Sequence, residues 1–379
     1  MDERIFYPKK GKPVPSWDMQ HRLSINGKVG PTTTDNGTIF RVNSTFMDIT
    51  DQPHMIRQWL AGGTLTAGIM FTLFFYSIFL VSFIYPPKNW ESIDTATLVL
   101  IISASIFFGA TTVFFGHHEF FSLKRRPIRF NRLTQKIYAI RHRRWLERDV
   151  RGDLSWEISW DSSTIFCVHK GPAKFDLGNH YHIRCYQLDD AGNVLRAFAM
   201  GKDWQGTSGL RDLLAQWNYW CLYMNKGPSK LPKPMLYLAE REDIIETFFY
   251  CLYEIGFNLP GLIRIILIPF ILVLTALRLI SLLTCSTPKW ASEVLEVSQI
   301  SENDQFHQPS GATPIGWAAT VRAHREGSYP EGSMCITENW TGEQDPLKNA
   351  MLWRNDLPPH QYCEEANREA SAFRQKEAL

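Results

Sequence analysis

The feature that most constrains this chain is a run of thirty residues, Gln58 to Pro87, without one Asp, Glu, Lys, Arg or His. Its centre, IMFTLFFYSIFLVSFIY, has no polar face that a soluble helix would turn to water. A hydrocarbon core about 30 Å thick needs roughly 20 helical residues, and this run exceeds that. Trp59 and Tyr85 stand where interfacial aromatics belong, and Pro86-Pro87 ends the helix because proline has no N–H to continue it. The run is therefore expected to span a bilayer.

A second uncharged stretch of twenty-two residues runs from Thr95 to Gly116, joined to the first by PPKNWESID. Two spans with so short a connection form a helical hairpin whose outer flanks face one side. The connection holds one Lys against two acids, whereas the later flank reads KRRPIRFNRLTQKIYAIRHRR. Basic residues next to a span stay on the cytoplasmic side, so the expectation is a multi-pass protein of the cell inner membrane with its central region in the cytoplasm. The N-terminus, MDERIFYPKKGKPVPSW, has no apolar h-region, so an internal segment is expected to direct insertion.

A third apolar region, Ile244 to Leu283, is interrupted by Glu246, Glu254, Pro260-Gly261, Arg264, Pro269 and Arg278. The part before Pro260 suits an amphipathic interfacial helix. In residues 262–284 the two arginines are fourteen positions apart, about 21 Å along a helix and near one face. A span with both arginines snorkelling near its ends fits this pattern and puts the tail outside; a helix that dips and returns fits too and keeps the tail inside.

Between these regions, short runs rich in β-branched and aromatic residues alternate with turn signals. Arg126–Arg132 and 136–140 read as strands around Leu133-Thr134-Gln135; further strands follow at Leu154–Trp160, Thr164–His169, His180–Leu188 and Val194–Met200. Trp156, Ile158 and Trp160 share one strand face. From Thr207 or Ser208, apolar residues recur at three and four up to Met224, and Gly227-Pro228 ends the helix. The expected fold class is α+β with transmembrane helices. The central domain is an antiparallel β-sheet or a pleckstrin-homology-like barrel closed by a helix, an analogy of element order alone. The expected parts are a soluble N-terminal segment (1–57), the transmembrane hairpin (58–116), a cytoplasmic α+β domain (117–240), interfacial and membrane helices (241–287) and an acidic polar tail (288–379).

Charge is unevenly spread although the formal net charge is only +2. From His117 to Arg151 eleven Lys or Arg face three acids; from Lys289 to Leu379 eight basic residues face fourteen acidic ones. Lys124, Arg125, Arg126, Arg129, Arg132, Arg141, Arg143 and Arg144 form a candidate cluster for anionic lipid headgroups or an acidic partner; a place beside a span favours lipid over nucleic acid. The tail carries scattered tryptophans, a pattern that orders on partners.

Motifs of chemistry are sparse. The sequence lacks the phosphate-binding G-x-x-x-x-G-K-[ST] loop, G-x-S-x-G and H-E-x-x-H, and His117-His118-Glu119 has the wrong order for a helical zinc site. His180 and His182 point to one strand face and His169 on a neighbouring strand could join them, which makes these three the candidate metal ligands, outweighed by an ordinary half-exposed face. Cys185 reads as a core residue. Seven cysteines without a C-x-x-C pair indicate neither a disulfide framework nor a zinc ribbon. No catalytic residue and no cofactor is expected.

The order of twin spans, RRPIRFNR…KIYAI, the LLAQWNYWCLYM helix and a second oily region resembles bacterial inner-membrane proteins encoded beside type VI secretion effectors. That resemblance implies an immunity or accessory role, in which a membrane-tethered protein binds a toxin or a secretion component. The alternative is a membrane-acting effector or an enzyme of another class; uncharged first spans argue against a transporter.

Overall fold

The computed structural model describes residues 11–26, 29–30, 32–50, 55–84, 92–141, 154–171, 180–234, 236–256, 260–328 and 335–336. The fold is α+β, and contacts divide it into two compact units, one of residues 1–52, 126–240 and 289–379, the other of 53–125 and 241–288. The N-terminal segment and the tail thus belong to the unit built around the central region, a division that differs from the boundaries expected at 57, 117 and 288.

The first unit begins with helix α1 (Ser16–Gln20) and strands β1 (Thr32–Thr33), β2 (Ile39–Val42) and β3 (Phe46–Ile49). After residues of the second unit, it resumes with β4 (Ile128–Asn131), β5 (Lys136–Arg141), β6 (Leu154–Ser159), β7 (Thr164–Gly171), β8 (His180–Leu188) and β9 (Val194–Gln205). Strands β2 to β6 form one antiparallel sheet in sequence order, and β7 to β9 form a second. Both ladders are open among the described residues. The β4–β5 turn is made locally: Asn131 Oδ1 accepts from the N–H groups of Leu133 and Thr134, and Gln135 adopts a left-handed φ of 52°.

Helix α4 (Gly206–Lys226) follows β9 directly. Its apolar positions bury Leu213, Leu214, Trp217 and Trp220 in one core with residues of both sheets. Trp160 lies 5.3 Å from Trp217 and Phe130 lies 5.1 Å from Trp220, ring centre to ring centre. Trp156, Ile158 and Trp160 all enter this core, as their alternation requires. The helix ends where Gly227 takes φ +81°, the left-handed stop that glycine supplies without a Cβ clash. Gly201 on β9 also has positive φ, and a Cβ there would stand 2.9 Å from the Trp220 ring, so only glycine lets the helix sit this close to the sheet.

The N-terminal strands complete this sheet. Strand β3 pairs with β4 from Phe46↔Asn131 to Ile49↔Ile128, so residues 79 to 85 positions apart become hydrogen-bonded neighbours. At the centre of that register Arg129 meets Asp48 in a two-pronged ion pair of 2.7 and 2.8 Å, both side chains buried. The guanidinium also lies 3.8 Å from the centre of the Phe46 ring and 4.7 Å from that of Trp290. The start of the tail carries α7 (Ser292–Glu296) and α8 (Gly316–Arg325) and is stitched on by backbone bonds: Val42 and Gln308 exchange two of 2.8 Å, and Gly316 N–H donates to Tyr237 at 2.7 Å. A two-residue strand, β10 (Cys335–Ile336), pairs with β1.

The second unit holds α2 (Arg57–Ile84), α3 (Ser92–Phe120), α5 (Ile244–Gly256) and α6 (Gly261–Thr284). Helices α2 and α3 run antiparallel at close range: Gly116 lies against Thr64, Gly68 against Thr112, Gly109 against Phe71, and Phe74 stacks on Phe108. Small residues facing each other let the backbones approach. Three helices, over Arg57–Leu80, Thr95–His117 and Gly261–Thr284, are long and apolar enough to cross a membrane. Their outer faces are bare hydrocarbon, with Phe75 61%, Leu100 70% and Leu262 70% exposed. Such faces are compatible with lipid contact and unsuited to water.

Removing one partner of the Arg129–Asp48 pair strands a buried charge, which costs about 3–5 kcal/mol, whereas replacing both by apolar residues costs far less. Arg129→Ala is therefore expected to lower the melting temperature of the detergent-solubilised chain strongly. The double change Arg129→Met with Asp48→Leu is expected to recover most of the loss. Equal losses from the single and double changes would show that a stranded charge is not the cause of the loss.

Candidate functional site

The densest group of titratable side chains in the first unit lies on the outer face of the β7–β9 sheet, beneath an N-terminal strap. Residues 11–23 cross that face. Gly11 N–H and Lys12 C=O bond to Val194, and Leu23 N–H and His21 C=O bond to Phe166 and Val168 along the free edge of β7. Strand alternation sends Phe166, Val168, Ile183 and Cys185 inward to the core and leaves Cys167, His169, His182, Arg184 and Tyr186 on the strap side.

One short helix puts Asp18 at the middle of that polar strip. The carboxylate is fully buried. His169 Nδ1 lies 2.8 and 3.0 Å from its two oxygens, the Tyr186 hydroxyl donates to it, and Arg184 Nη1 stands 3.6 Å away. Burial alone would raise this carboxyl's pKa, but the hydrogen bond and charge of His169, the Tyr186 hydroxyl and the Arg184 charge outweigh it, and the pKa falls below its ordinary value of 3.8. Asp18 is thus an anion with its lone pairs in use. His169 and His182 are cross-strand partners with ring centres 4.9 Å apart. Burial first, then the charges of His169 and Arg184, push His182 well below 6.5, so it is neutral.

His169 and His182 therefore do come together, as their strand positions imply, while His180 lies two residues along the same strand face. Among the described residues no group of three or more His, Cys, Asp or Glu side chains is arranged to hold a metal ion. What meets His169 instead is Asp18, a residue of the N-terminal segment that the sequence left without a role. The carboxylate on Nδ1 fixes the orientation of the ring, whose side chain is 19% exposed. Cys167 and Cys185 are buried, and burial, the leading cause for Cys167, pushes its thiol well above 9.0, so it is a core residue and no nucleophile. Cys167, Cys185, Cys221, Cys251 and Cys285 are free thiols.

The basic cluster has mixed fates. Arg129 is engaged with Asp48, and Arg132 donates from Nε to Ser44 C=O at 3.2 Å. These two are fastened to the sheet, because a strand next to β3 needs its polar groups matched across the ladder. Lys124, Arg125 and Arg126 are half-buried. Arg141 ends β5, its side chain not among those described, and Arg143 and Arg144 lie outside the described residues.

In the second unit the charged residues gather where the apolar helices end. Arg57 donates to Ser281 Oγ at 2.9 Å and to the carbonyls of Leu123 and Glu119, with the Glu119 carboxylate 3.4 Å away. Arg278 holds Glu242 by two bonds of 2.7 Å and Gln58 by one of 2.8 Å, under the Tyr250 ring. Arg278, for which a snorkelling place in a span and a place in a dipping helix both fit the sequence, is fully buried, because Glu242 and Gln58 supply the partners that water would otherwise provide. Gln58 also donates to Glu254. Of His117-His118-Glu119, the carboxylate serves this lock.

Because His182 is kept neutral in the fold, the unfolded chain binds an extra proton below about pH 6.5 and stability falls there, by up to about 1.4 kcal/mol per pH unit. Melting temperature is expected to drop on acidification from pH 7 to 5.5, and His182→Gln is expected to flatten that slope. An unchanged slope would mean that His182 titrates normally.

No curated protein and no solved structure matches the chain. Residues 105–302, just over half of the sequence, match a family described only as of unknown function, DUF6708. The chain belongs to the DUF6708 family.

Proposed function

We propose that this chain is a membrane-anchored binding protein whose β-rich unit presents a surface to a protein partner at the membrane. The observation that carries this reading is the point at which the apolar helices leave the fold: α2 and α3 lie in the sequence between β3 and β4, two strands hydrogen-bonded to each other. A helix pair inserted there anchors the sheet through two chain connections instead of one terminal one. Strands β3–β6, strands β7–β9 and the closing helix α4 follow the element order of pleckstrin-homology-like modules, whose business is binding. The strongest titratable cluster, around Asp18, spends its hydrogen bonds on holding the strap.

We assign the anchor to the cell inner membrane and the β-rich unit to the cytoplasm, on the strength of the basic flank after the second span. The third apolar helix does not carry the tail across. Residues up to 240 and from 289 onward are hydrogen-bonded within one unit, through Val42 with Gln308 and Asn131 with Val297, and a bilayer cannot run between them. These bonds support a path in which residues 241–288 enter and return. Helix α5, 13 residues and about 20 Å long, is too short to cross a core of about 30 Å, and Arg278 near the end of α6 holds Glu242 just ahead of α5, so on this reading α5 leads in and α6 leads out on the same side. Cysteines introduced in the full chain at exposed Leu133 and exposed Leu295 are expected to react with an impermeant thiol reagent from the same, cytoplasmic side. Labelling from opposite faces of the membrane would overturn the topology.

Within this role we assign the chain to immunity or accessory function for a type VI secretion toxin. Support comes from the order of twin spans, the RRPIRFNR…KIYAI strands and the LLAQWNYWCLYM helix. Cells expressing the chain are expected to survive a toxin encoded beside it, and to lose protection with Arg129→Ala. Growth arrest on expression of the chain alone would identify it as an effector instead.

A further inference from the structure

Helices α2 and α3 do not close fully on each other. A groove of about 720 Å³ runs between them in the second unit, walled by Thr64, Leu65, Gly68 and Thr72 on one side and Thr112 and Gly116 on the other, with Thr284 of α6 at one end. We propose that this groove is a binding site for one acyl chain of an anionic phospholipid, whose headgroup is held by Lys124 and Arg125. The proposal rests on the reading that these helices lie in a bilayer.

The wall chemistry selects hydrocarbon. Every threonine in it returns its hydroxyl to its own helix: Thr64 to Leu60 C=O, Thr72 to Gly68 C=O, Thr112 to Phe108 C=O and Thr284 to Ser281 C=O. With their hydroxyl donors spent, these side chains offer the groove no free donor. A polar solute would lose its water there and gain little. An alkyl chain loses nothing.

The dimensions select a single lipid tail. The volume falls within the roughly 300–1,000 Å³ typical of small-molecule sites. From Thr64 to Leu73 the lining covers nine helical steps, about 14 Å. One leaflet of a hydrocarbon core about 30 Å thick is some 15 Å deep, the reach of one acyl chain. The groove therefore runs from one interface to mid-membrane and no further.

Charge selects the headgroup. The mouth end is marked by Phe120, Phe121 and Thr284, and the chain passes from Phe121 to Lys124 and Arg125 within four residues, at most about 14 Å. Two cations at headgroup level beside the mouth favour a phosphate without a balancing amine.

Native mass spectrometry of the full chain, released from nanodiscs of equal phosphatidylglycerol and phosphatidylcholine, tests this. One phosphatidylglycerol per chain is expected to remain bound. Thr72→Phe fills the groove from an exposed position and is expected to abolish retention. Lys124→Gln with Arg125→Gln is expected to remove the preference for phosphatidylglycerol, at least fivefold, while leaving a lipid bound. Helical circular dichroism and a monodisperse profile establish that each variant is folded, and Leu65→Phe serves as a second filling change should Thr72→Phe fail to fold. Full lipid retention in a folded, filled variant overturns the proposal, and so does a lipid-free dimer, which would mean that a second copy covers the groove. A chain recovered in the soluble fraction would overturn the membrane reading itself, a result distinct from a membrane-bound chain that retains no lipid.

Discussion

Everything in the first unit depends on one guanidinium. Arg129 sits on the strand that follows the apolar helices; its carboxylate partner, Asp48, sits on the strand that precedes them; Trp290, stacked against it, begins the tail. Three segments separated by long stretches of chain thus meet at a single buried charge. In low dielectric such a charge tolerates little error, since attraction repays desolvation only when the geometry is good and the remaining donors are used. Two bonds of 2.7 and 2.8 Å and a ring on either flank meet that condition. The register of β3 on β4 is fixed by it, because a slip of one residue would turn Arg129 to the other face and leave Asp48 buried without its partner.

The second unit solves a related problem by the same means. Helices with hydrocarbon on every outward face gain nothing from each other by excluding water once they lie in lipid, so packing and polar contacts must hold them. Small residues give the close approach along α2 and α3, and the polar contacts are gathered at one end. Arg57 joins the start of α2 to the end of α3 and to α6, and Arg278 joins α6 to Gln58 of α2 and to Glu242 just ahead of α5. Both arginines are paired, so neither is a stray charge in an apolar bundle. They read as fasteners placed where breaking them would be most costly.

Much of this could be read from local pattern. Strands β4 to β9, the helix ending at Gly227 and the three apolar helices follow from periodicity within windows of four to twenty residues, and the structure has them within a few positions of where alternation and turn residues put them. What escaped were the long-range pairings. Strands β2 and β3 are four residues each and sit just before an apolar run that dominates any reading of their surroundings. Their partner lies beyond two membrane-length helices, and no local signal joins Phe46 to Asn131. Arg129 looked like one of several flanking cations because the sequence does not distinguish an arginine that meets lipid from one that meets a carboxylate. Asp18 was invisible for the same reason. His169 and His182 were correctly brought together by strand geometry, but the group that completes the cluster comes from 151 residues earlier in the chain.

Inserting the helices between neighbouring strands gives a connectivity that a terminal anchor would lack. A terminal anchor leaves one covalent link. Here the chain leaves at the end of β3 and re-enters at the start of β4, and these two points are cross-strand partners, Ile49 and Ile128. Backbones of paired strands stand about 5 Å apart, so the chain leaves and re-enters the first unit at one end of two neighbouring strands. A second pair of connections, after Glu240 and before Lys289, ties the same unit again. Four links cost little extra chain entropy, because loop closure grows only with the logarithm of length.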